Sequence, residues 1–493
     1  MLLTSVLLTF MLVTLMLVCG MPTLRHFVGR NRDLQRLHRH LDAVTTDGRG
    51  RLISIRGRRQ AGKSRMVTEF TDRTRLPQLF FTASRLAIPA EELARFASEA
   101  AQSTLPDATA FGDARLSTWS DALRMTASAL PDGPAIVVLD EFPWLCESNP
   151  SLEGTLQTAW DRLFEPKPVL FILIGSDIAM MEALSTYERP LFGRAKEMVV
   201  NPFKLGDTAA MIGVDDPAVA IDAQLITGGY PRLCIEWRDA PDARTFFGRQ
   251  LADENSDLID VGRNVLGAEF PPGLQARQVL TAIGAGERTN KLIGARSGLQ
   301  AAPLARSLQT LKETKRVVAA DLPLSTRPRN DPRYRVADTY LRFWLRFIEP
   351  SLPDIARGRP DLALARVNHA WMDYRGQAVE PLIRESVELL ASDDPELPEV
   401  SIVGGYWTRT NDVEVDLVGV DRWPGASQVA MVGSIKWRER LAFDRHDLNA
   451  LAAHRAEVPG AADARLIAVS RSGCGVTDVD RAYGPRDLIA AWR

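Results

Sequence analysis

The sequence predicts a multidomain α/β chain whose first half is a parallel sheet covered by helices. Three observations predict it. From Arg51 to Phe203, short apolar runs alternate with amphipathic stretches: "RLISIRG", "QLFFTA", "AIVVLDEF", "VLFILIGS" and "EMVVNPF". Runs that stay apolar, as from Ile136 to Leu139, suit strands buried on both faces. The length of 493 residues exceeds what one core fills, so three or four domains are expected.

Composition excludes several classes. With 45% hydrophobic and 25% charged residues the chain reads as a globular protein. A net charge of −2 excludes a polycation, so any nucleic-acid contact must come from a local basic face. Cys19, Cys146, Cys234 and Cys474 form no C-x-x-C pair, and the histidines show no ligand spacing. That argues against a zinc module or a disulfide framework and suits a reducing compartment.

The first 20 residues carry no charged side chain. A helix of that length spans about 30 Å, enough for a bilayer. The basic "RHFVGRNR" that follows would keep the rest in the cytoplasm. No basic residues precede the segment, which argues against a cleaved signal peptide. Two expectations stay open: an anchor on the inner side of the cytoplasmic membrane, or a start placed too early, with Met21 as the true one. Both put the protein in the cytoplasm.

"GRRQAGKS" carries the chemistry. Gly57, four residues, Gly62, Lys63 and Ser64 have phosphate-loop spacing between an apolar strand and a helix. The backbone of Gly57, Arg58, Arg59, Gln60, Ala61 and Gly62 can curl around phosphate oxygens. The following helix N-terminus adds partial positive charge. Lys63 would reach the β- and γ-phosphates of ATP, and the Ser64 hydroxyl would ligate Mg2+.

"AIVVLDEF" ends in Asp140 and Glu141, acids at the ligand edge of such a sheet. Asp140 would hold magnesium, partly through water, and Glu141 would deprotonate the attacking water. Ser176, ending "VLFILIGS", is placed to bond the γ-phosphate or the water; a plain turn serine is the alternative. Arg194 and Arg232 are candidates to sense phosphate, in the same molecule or a neighbour, with ordinary surface arginines as the alternative.

"FVGRNRDLQRL", "IRGRRQAGKS", "VVLDEFPWL", "LIGSDIAMM", "PLFGRAKEMVVNPF" and "GGYPRL" occur in that order. As a set they resemble the archaeal-type ATPase family, a branch of the AAA-like, signal-transduction P-loop ATPases. "YRVADTYLRFWLRFIEP" is similar to the end of that family's winged helix. The resemblance runs from about Phe27 to the C-terminus. It implies a P-loop NTPase parallel sheet with a helical lid, then a winged helix, then a small α/β restriction-endonuclease-like domain. It places Arg30 in an N-terminal nucleotide box, Arg194 at an arginine-finger position and Arg232 at a lid sensor. The expected units are a P-loop ATPase domain at 21–205 and a helical lid at 206–273. A winged helix at 274–350, a linker at 351–375 and a nuclease-like domain at 376–493 follow.

Residues 275–350 carry 14 Lys and Arg against 6 Asp and Glu. Their order is three helices, then two strand-like stretches around a Pro-rich turn. A basic winged helix suits double-stranded DNA, with Arg306, Lys312, Lys315 and Arg316 on the recognition helix and Arg327, Arg329 and Arg333 on the wing. Docking to a partner protein is the alternative. A homo-oligomer is also compatible, since an arginine finger needs a neighbour.

In "DVEVDLV", Asp412, Glu414 and Asp416 share one strand face by their period of two. The resemblance assigns Glu380, Asp416 and Lys436 to a nuclease metal site, and a glutamate to position 434, where this chain has Ser434. A hydroxyl cannot supply the missing charge. Glu414 is the candidate substitute. The expectation is a degenerate nuclease domain kept for binding, with an ATP-gated nuclease or a signalling scaffold without DNA as rivals.

Overall fold

The first sheet has five strands: β1 (Arg51–Arg56), β2 (Gln78–Thr82), β3 (Ala135–Asp140), β4 (Val169–Gly175) and β5 (Ala195–Val199). In this computed structural model, residues 27–271, 273–327 and 329–492 are described; the segment 1–20 and the expectations for it lie outside the described residues. Every pairing in the sheet is parallel and the order is β2-β3-β4-β1-β5. β3 and β4 are buried along their whole length, as their unbroken apolar runs require.

Alternate residues feed two cores. Ile53, Ile55, Ile136 and Ile172 pack under the helices Asn31–Asp47 and Lys63–Thr74, with Leu37, Val44 and Phe70. Leu52, Val137, Leu139 and Phe171 face the other side, against Phe96, Trp119 and Leu156. The fifth strand begins earlier than its apolar run implied. It is an edge strand with Lys196 and Glu197 exposed, so polar residues belong to it.

Helices fill Leu205 to Glu269. Helices Gln275–Gly284, Asn290–Ser297 and Ala301–Gln309 then lead into an antiparallel hairpin of β6 (Val318–Asp321) and β7 (Arg333–Val336). Tyr340, Phe343, Trp344 and Phe347 are all buried in core packing. Within 351–375, the helix Pro360–Ala378 buries Trp371, Tyr374 and Arg375. One hydrophobic core therefore runs from Phe203 to Ile489.

The second sheet contains β8 (Ile402–Trp407), β9 (Glu414–Val420), β10 (Val429–Lys436), β11 (Arg465–Ser470) and β12 (Arg481–Tyr483). Its order is β12-β11-β10-β9-β8, antiparallel from β8 to β10 and parallel beyond. Buried Asp222, on the helix Pro217–Thr227, accepts from Arg471 at 3.0 and 2.9 Å and from Arg375 at 3.3 Å. Among the described residues no helix is long and apolar enough to cross a membrane.

Candidate functional site

The loop after β1 is shaped by two glycines. A Cβ on Gly57 would lie 2.0 Å from the Val200 carbonyl oxygen, so only glycine allows this approach. Gly62 has φ +87° and precedes the helix Lys63–Thr74. That conformation is cheap only for glycine. The helix N-terminus thus opens onto the loop, with unpaired N–H groups aimed where an anion would sit.

Lys63 is buried. Its Nζ donates to the carbonyls of Gly57 and Arg58 at 2.8 and 2.9 Å and to Ser176 Oγ at 3.1 Å. Ser176 Oγ donates in turn to Glu141 Oε1 at 2.8 Å. Asp140 ends β3, and its Oδ1 accepts the Glu141 N–H at 2.9 Å. Glu141 holds φ 52°, an uncommon conformation for a residue with a side chain.

Burial drives the electrostatics here. It lowers the Lys63 pKa to about 8, against the pull of Glu141 and Asp140. It raises that of Asp140, against a hydrogen bond from Ser64. An anion beside Lys63 and a cation beside Asp140 would relieve both costs. Ser64 and Asp140 are hard oxygen donors side by side. They fit Mg2+, which takes few protein ligands and completes its shell with phosphate and water oxygens.

A cavity of about 120 Å³ adjoins this edge. Glu141, Ser176 and Arg59 line one side, with the Arg59 guanidinium 5.4 Å over the Trp144 ring. Glu269, on the helix Asp257–Glu269, and Lys315 line the other.

Arg58 leaves the loop in the opposite direction. Its Nη1 donates to both Glu269 carboxylate oxygens at 3.0 and 2.9 Å. Its Nη2 donates to the Lys315 and Arg316 carbonyls at 3.0 and 3.3 Å. Asp338 lies 3.6 Å from its Nε, and Asp338 also accepts from Tyr230 Oη at 2.7 Å. Burial opposes the Arg58 charge, but Glu269 and Asp338 overcome it and hold its pKa above the ordinary value. Nothing local in the sequence marks Glu269 or Asp338 as partners of the loop.

Arg30 braces the loop from beneath. Its Nη2 donates to the Ala61 carbonyl at 2.5 Å, and its guanidinium stands 4.9 Å over Phe203. Arg232 pairs with Asp257 at 2.5 Å, although neighbouring Pro231 reaches Gly62. Arg194 pairs with Asp161 at 2.7 and 2.8 Å. It precedes β5, whose Ala195 is in register with Leu52 while Val199 is in register with Arg56. The loop follows Arg56, so Arg194 sits at the far end of the sheet, about 16 Å away at the rise of a strand.

The basic middle segment is less free than its charge implied. Lys315 faces the cavity, and Arg316 pairs with Glu182 at 2.8 Å. Arg333 pairs with Glu414 at 2.6 Å and lies 4.5 Å over Trp407. Arg306, Lys312, Arg327 and Arg329 are exposed.

The residues expected at a nuclease centre do gather, on the second sheet and its first helix, but each is engaged. Asp416 Oδ2 accepts from Ser434 Oγ at 3.1 Å and from the Ile435 N–H at 2.8 Å. Glu380 accepts from Arg384 at 3.1 Å, and burial raises its pKa against the opposing pull of Arg384. Glu414 is taken by Arg333, and Lys436 leans 3.7 Å from Asp447. Among the described residues no three His, Cys, Asp or Glu side chains group as metal ligands.

Comparison with known proteins agrees with the loop. Residues 26–172 match an AAA ATPase domain. Residues 344–450 match a family described as archaeal and bacterial proteins of unknown function. The uncharacterized protein MJECL04 of Methanocaldococcus jannaschii is 22% identical over 422 residues, which is 84% of this chain and 88% of that protein. Two solved structures are similar at lower resemblance. The Walker-type ATPase PABY2304 of Pyrococcus abyssi shares 21% identity over 65% of this chain and 96% of its own, with a TM-score of 0.46. The ORC2 protein of Aeropyrum pernix shares 14% over 67% of this chain and 95% of its own, with a TM-score of 0.41. The parallel sheet and the phosphate loop agree with the match over 26–172, so this chain carries an AAA ATPase domain, and the two matches together are in keeping with the archaeal-type ATPase resemblance of its motifs.

Proposed function

We propose that the chain is an ATP-dependent switch in which 21–205 bind and hydrolyse the nucleotide and 206–273 form the lid. In this reading 274–350 are a winged helix, and 376–493, beyond the helical link 351–375, are a nuclease-like domain whose metal site has decayed. The observation that carries the reading is the set of contacts made by Arg58. One side chain of the phosphate loop holds Glu269 of the lid and the Lys315 and Arg316 carbonyls of the next unit.

Lys63 would exchange its present acceptors for the β- and γ-phosphates. Glu141 would take a proton from the attacking water while Ser176 keeps its carboxylate in place. Ser64 and Asp140 would hold Mg2+, which neutralises phosphate charge when bound. Arg194 is too far from its own loop, so in this reading it serves the nucleotide of a neighbouring copy. Arg232 would sense phosphate only after leaving Asp257.

Double-stranded DNA is the partner we assign to Arg306, Lys312, Arg327 and Arg329. Docking to a partner protein is the second reading; the hairpin already packs against protein, in this chain's own second sheet. Leu324 donates its N–H to Gly405, Thr326 to Pro459, and Trp407 donates to the Asp331 carbonyl, so the hairpin lies on the second sheet. A nuclease role is disfavoured by the cations already seated on Glu380 and Glu414.

Amide hydrogen exchange of the Glu141→Gln protein tests the switch. Segments 257–269 and 301–316 should exchange differently with ADP and with ATP. The difference should vanish when Arg58→Ala is added. Identical exchange in both nucleotide states would overturn the reading.

A further inference from the structure

Away from the nucleotide, one pocket holds more positive than negative charge. It lies between the β6–β7 hairpin, the end of the helix Pro360–Ala378 and the start of the helix Glu380–Asp393. Five arginines and three carboxylates line it. Each carboxylate is engaged: Asp321 by Arg335 at 2.8 Å, Glu414 by Arg333 at 2.6 Å and Glu380 by Arg384 at 3.1 Å. Arg288 and Arg342 make no close ion pair among the described residues; Glu380, already held by Arg384, is the carboxylate whose field reaches both. They meet instead at a neutral side chain. Arg288 Nη2 donates to Gln377 Oε1 at 3.0 Å, and Arg342 Nη2 donates to the Gln377 main-chain oxygen at 3.3 Å.

Both guanidinium groups are half-buried while Gln377 is exposed, so the pocket opens to solvent beside them. Burial lowers the Arg342 pKa, and Arg335 and Arg288 act in the same direction against Tyr374 and Glu380. Charge withdrawn from water with only a shared counter-charge is costly. An amide oxygen answers it only in part. With five arginines to three carboxylates the pocket keeps a surplus of two positive charges, which matches a dianion, and the planar donors of Arg288 and Arg342 suit the paired oxygens of a phosphate. Glu380 and Glu414, the carboxylates expected to hold a metal, stand in the same pocket under arginines. With its carboxylates held by arginines, the cleft suits an anion rather than a cation.

We propose that Arg288 and Arg342 form a metal-independent site for a phosphate group, the terminal monoester of a nucleic-acid strand being the source that suits a charge of −2 and an open mouth. The site does not depend on ATP hydrolysis, nor on duplex contacts by residues 301–316.

Calorimetry on the full chain, saturated with ADP so that the phosphate loop is occupied and with EDTA present, tests it. The probes are inorganic phosphate and one single-stranded DNA decamer with either a 5′-phosphate or a 5′-hydroxyl. Phosphate should bind, and Arg288→Ala or Arg342→Ala should weaken it at least about tenfold, as expected for hydrogen bonds to a charged group. Gln377→Glu supplies the missing carboxylate and keeps both arginines. It should abolish binding while raising Tm, a combination that unfolding cannot give. Preference for the 5′-phosphate decamer identifies a strand end as the source. Binding of inorganic phosphate with neither decamer identifies a small phosphorylated molecule at the same site. No phosphate binding, or binding indifferent to all three substitutions, overturns the site.

Discussion

Arg58 in the phosphate loop and Glu269 at the end of the helix Asp257–Glu269, 211 residues apart in sequence, share a two-bond ion pair in a largely buried setting. Removing one partner of such a pair leaves the other charge buried and costs about 3–5 kcal/mol. Glu269→Gln should therefore lower Tm measurably in thermal unfolding. Glu269→Gln combined with Arg58→Met should recover part of the loss, since the remaining charge is gone. Equal Tm for wild type and Glu269→Gln would show that the pair carries no stability.

Lys63 gives the nucleotide site a pH signature. Its pKa falls from 10.5 to about 8 in the free protein. The folded chain therefore binds fewer protons there than the unfolded chain between those values. Stability from this group is present above 10.5 and is lost as pH falls through 8. Bound phosphate should push the pKa back up. At pH 9, ATP binding should then take up about one proton, measured by calorimetry in buffers of different ionisation enthalpy. Lys63→Ala should bind little ATP and show no such uptake.

Glu141→Gln separates binding from chemistry. ATP affinity should stay near that of the wild type while phosphate release falls about 100-fold or more, the usual worth of a general base. Equal loss of binding in Lys63→Ala and Glu141→Gln would remove Glu141 from the role of base.

Cleavage of supercoiled plasmid with Mg2+ or Mn2+ should be absent in the wild type and also in Ser434→Glu. Restoring one carboxylate leaves Arg384 on Glu380 and Arg333 on Glu414, where a metal would need free oxygens. Nicking by either protein that disappears with Asp416→Ala would show a working centre.

DNA affinity should fall steeply with salt if the middle segment binds duplex. Arg306→Ala with Lys312→Ala should reduce the log–log slope by about 0.9 for each lost phosphate contact. Lys315→Ala should instead change ATP turnover and leave the slope alone, because Lys315 lines the cavity beside Glu141 and Ser176.

Much of this was legible in the sequence because physics forces a local pattern. A strand buried on both faces must be apolar throughout, which exposes β3 and β4. A loop that wraps phosphate needs glycine where the chain passes Val200 and where φ is positive, which exposes Gly57 and Gly62. The start of β5 was hidden because an edge strand tolerates Lys196 and Glu197. Glu269 and Asp338 were hidden because an ion pair formed across a fold leaves no periodicity. The surplus of basic residues in 275–350 suggested a nucleic-acid face. Part of that charge is spent internally, as in Arg277 with Glu349 and Arg335 with Asp321.

The buried trio of Asp222, Arg375 and Arg471 has a mechanical consequence. Asp222 stands on the helix Pro217–Thr227 and Arg471 just beyond β11, 249 positions further along the chain. Pulling these charges apart would strand them in a dry interior, so the joint resists bending more than any exposed linker would. The helix Pro217–Thr227 and the second sheet are thus tied into one piece, which in the proposed switch would act as the long arm of a lever whose short arm ends at the phosphate loop. If the chain switches as proposed, a tilt begun at the phosphate loop would reach β8–β12 through this joint with little slack.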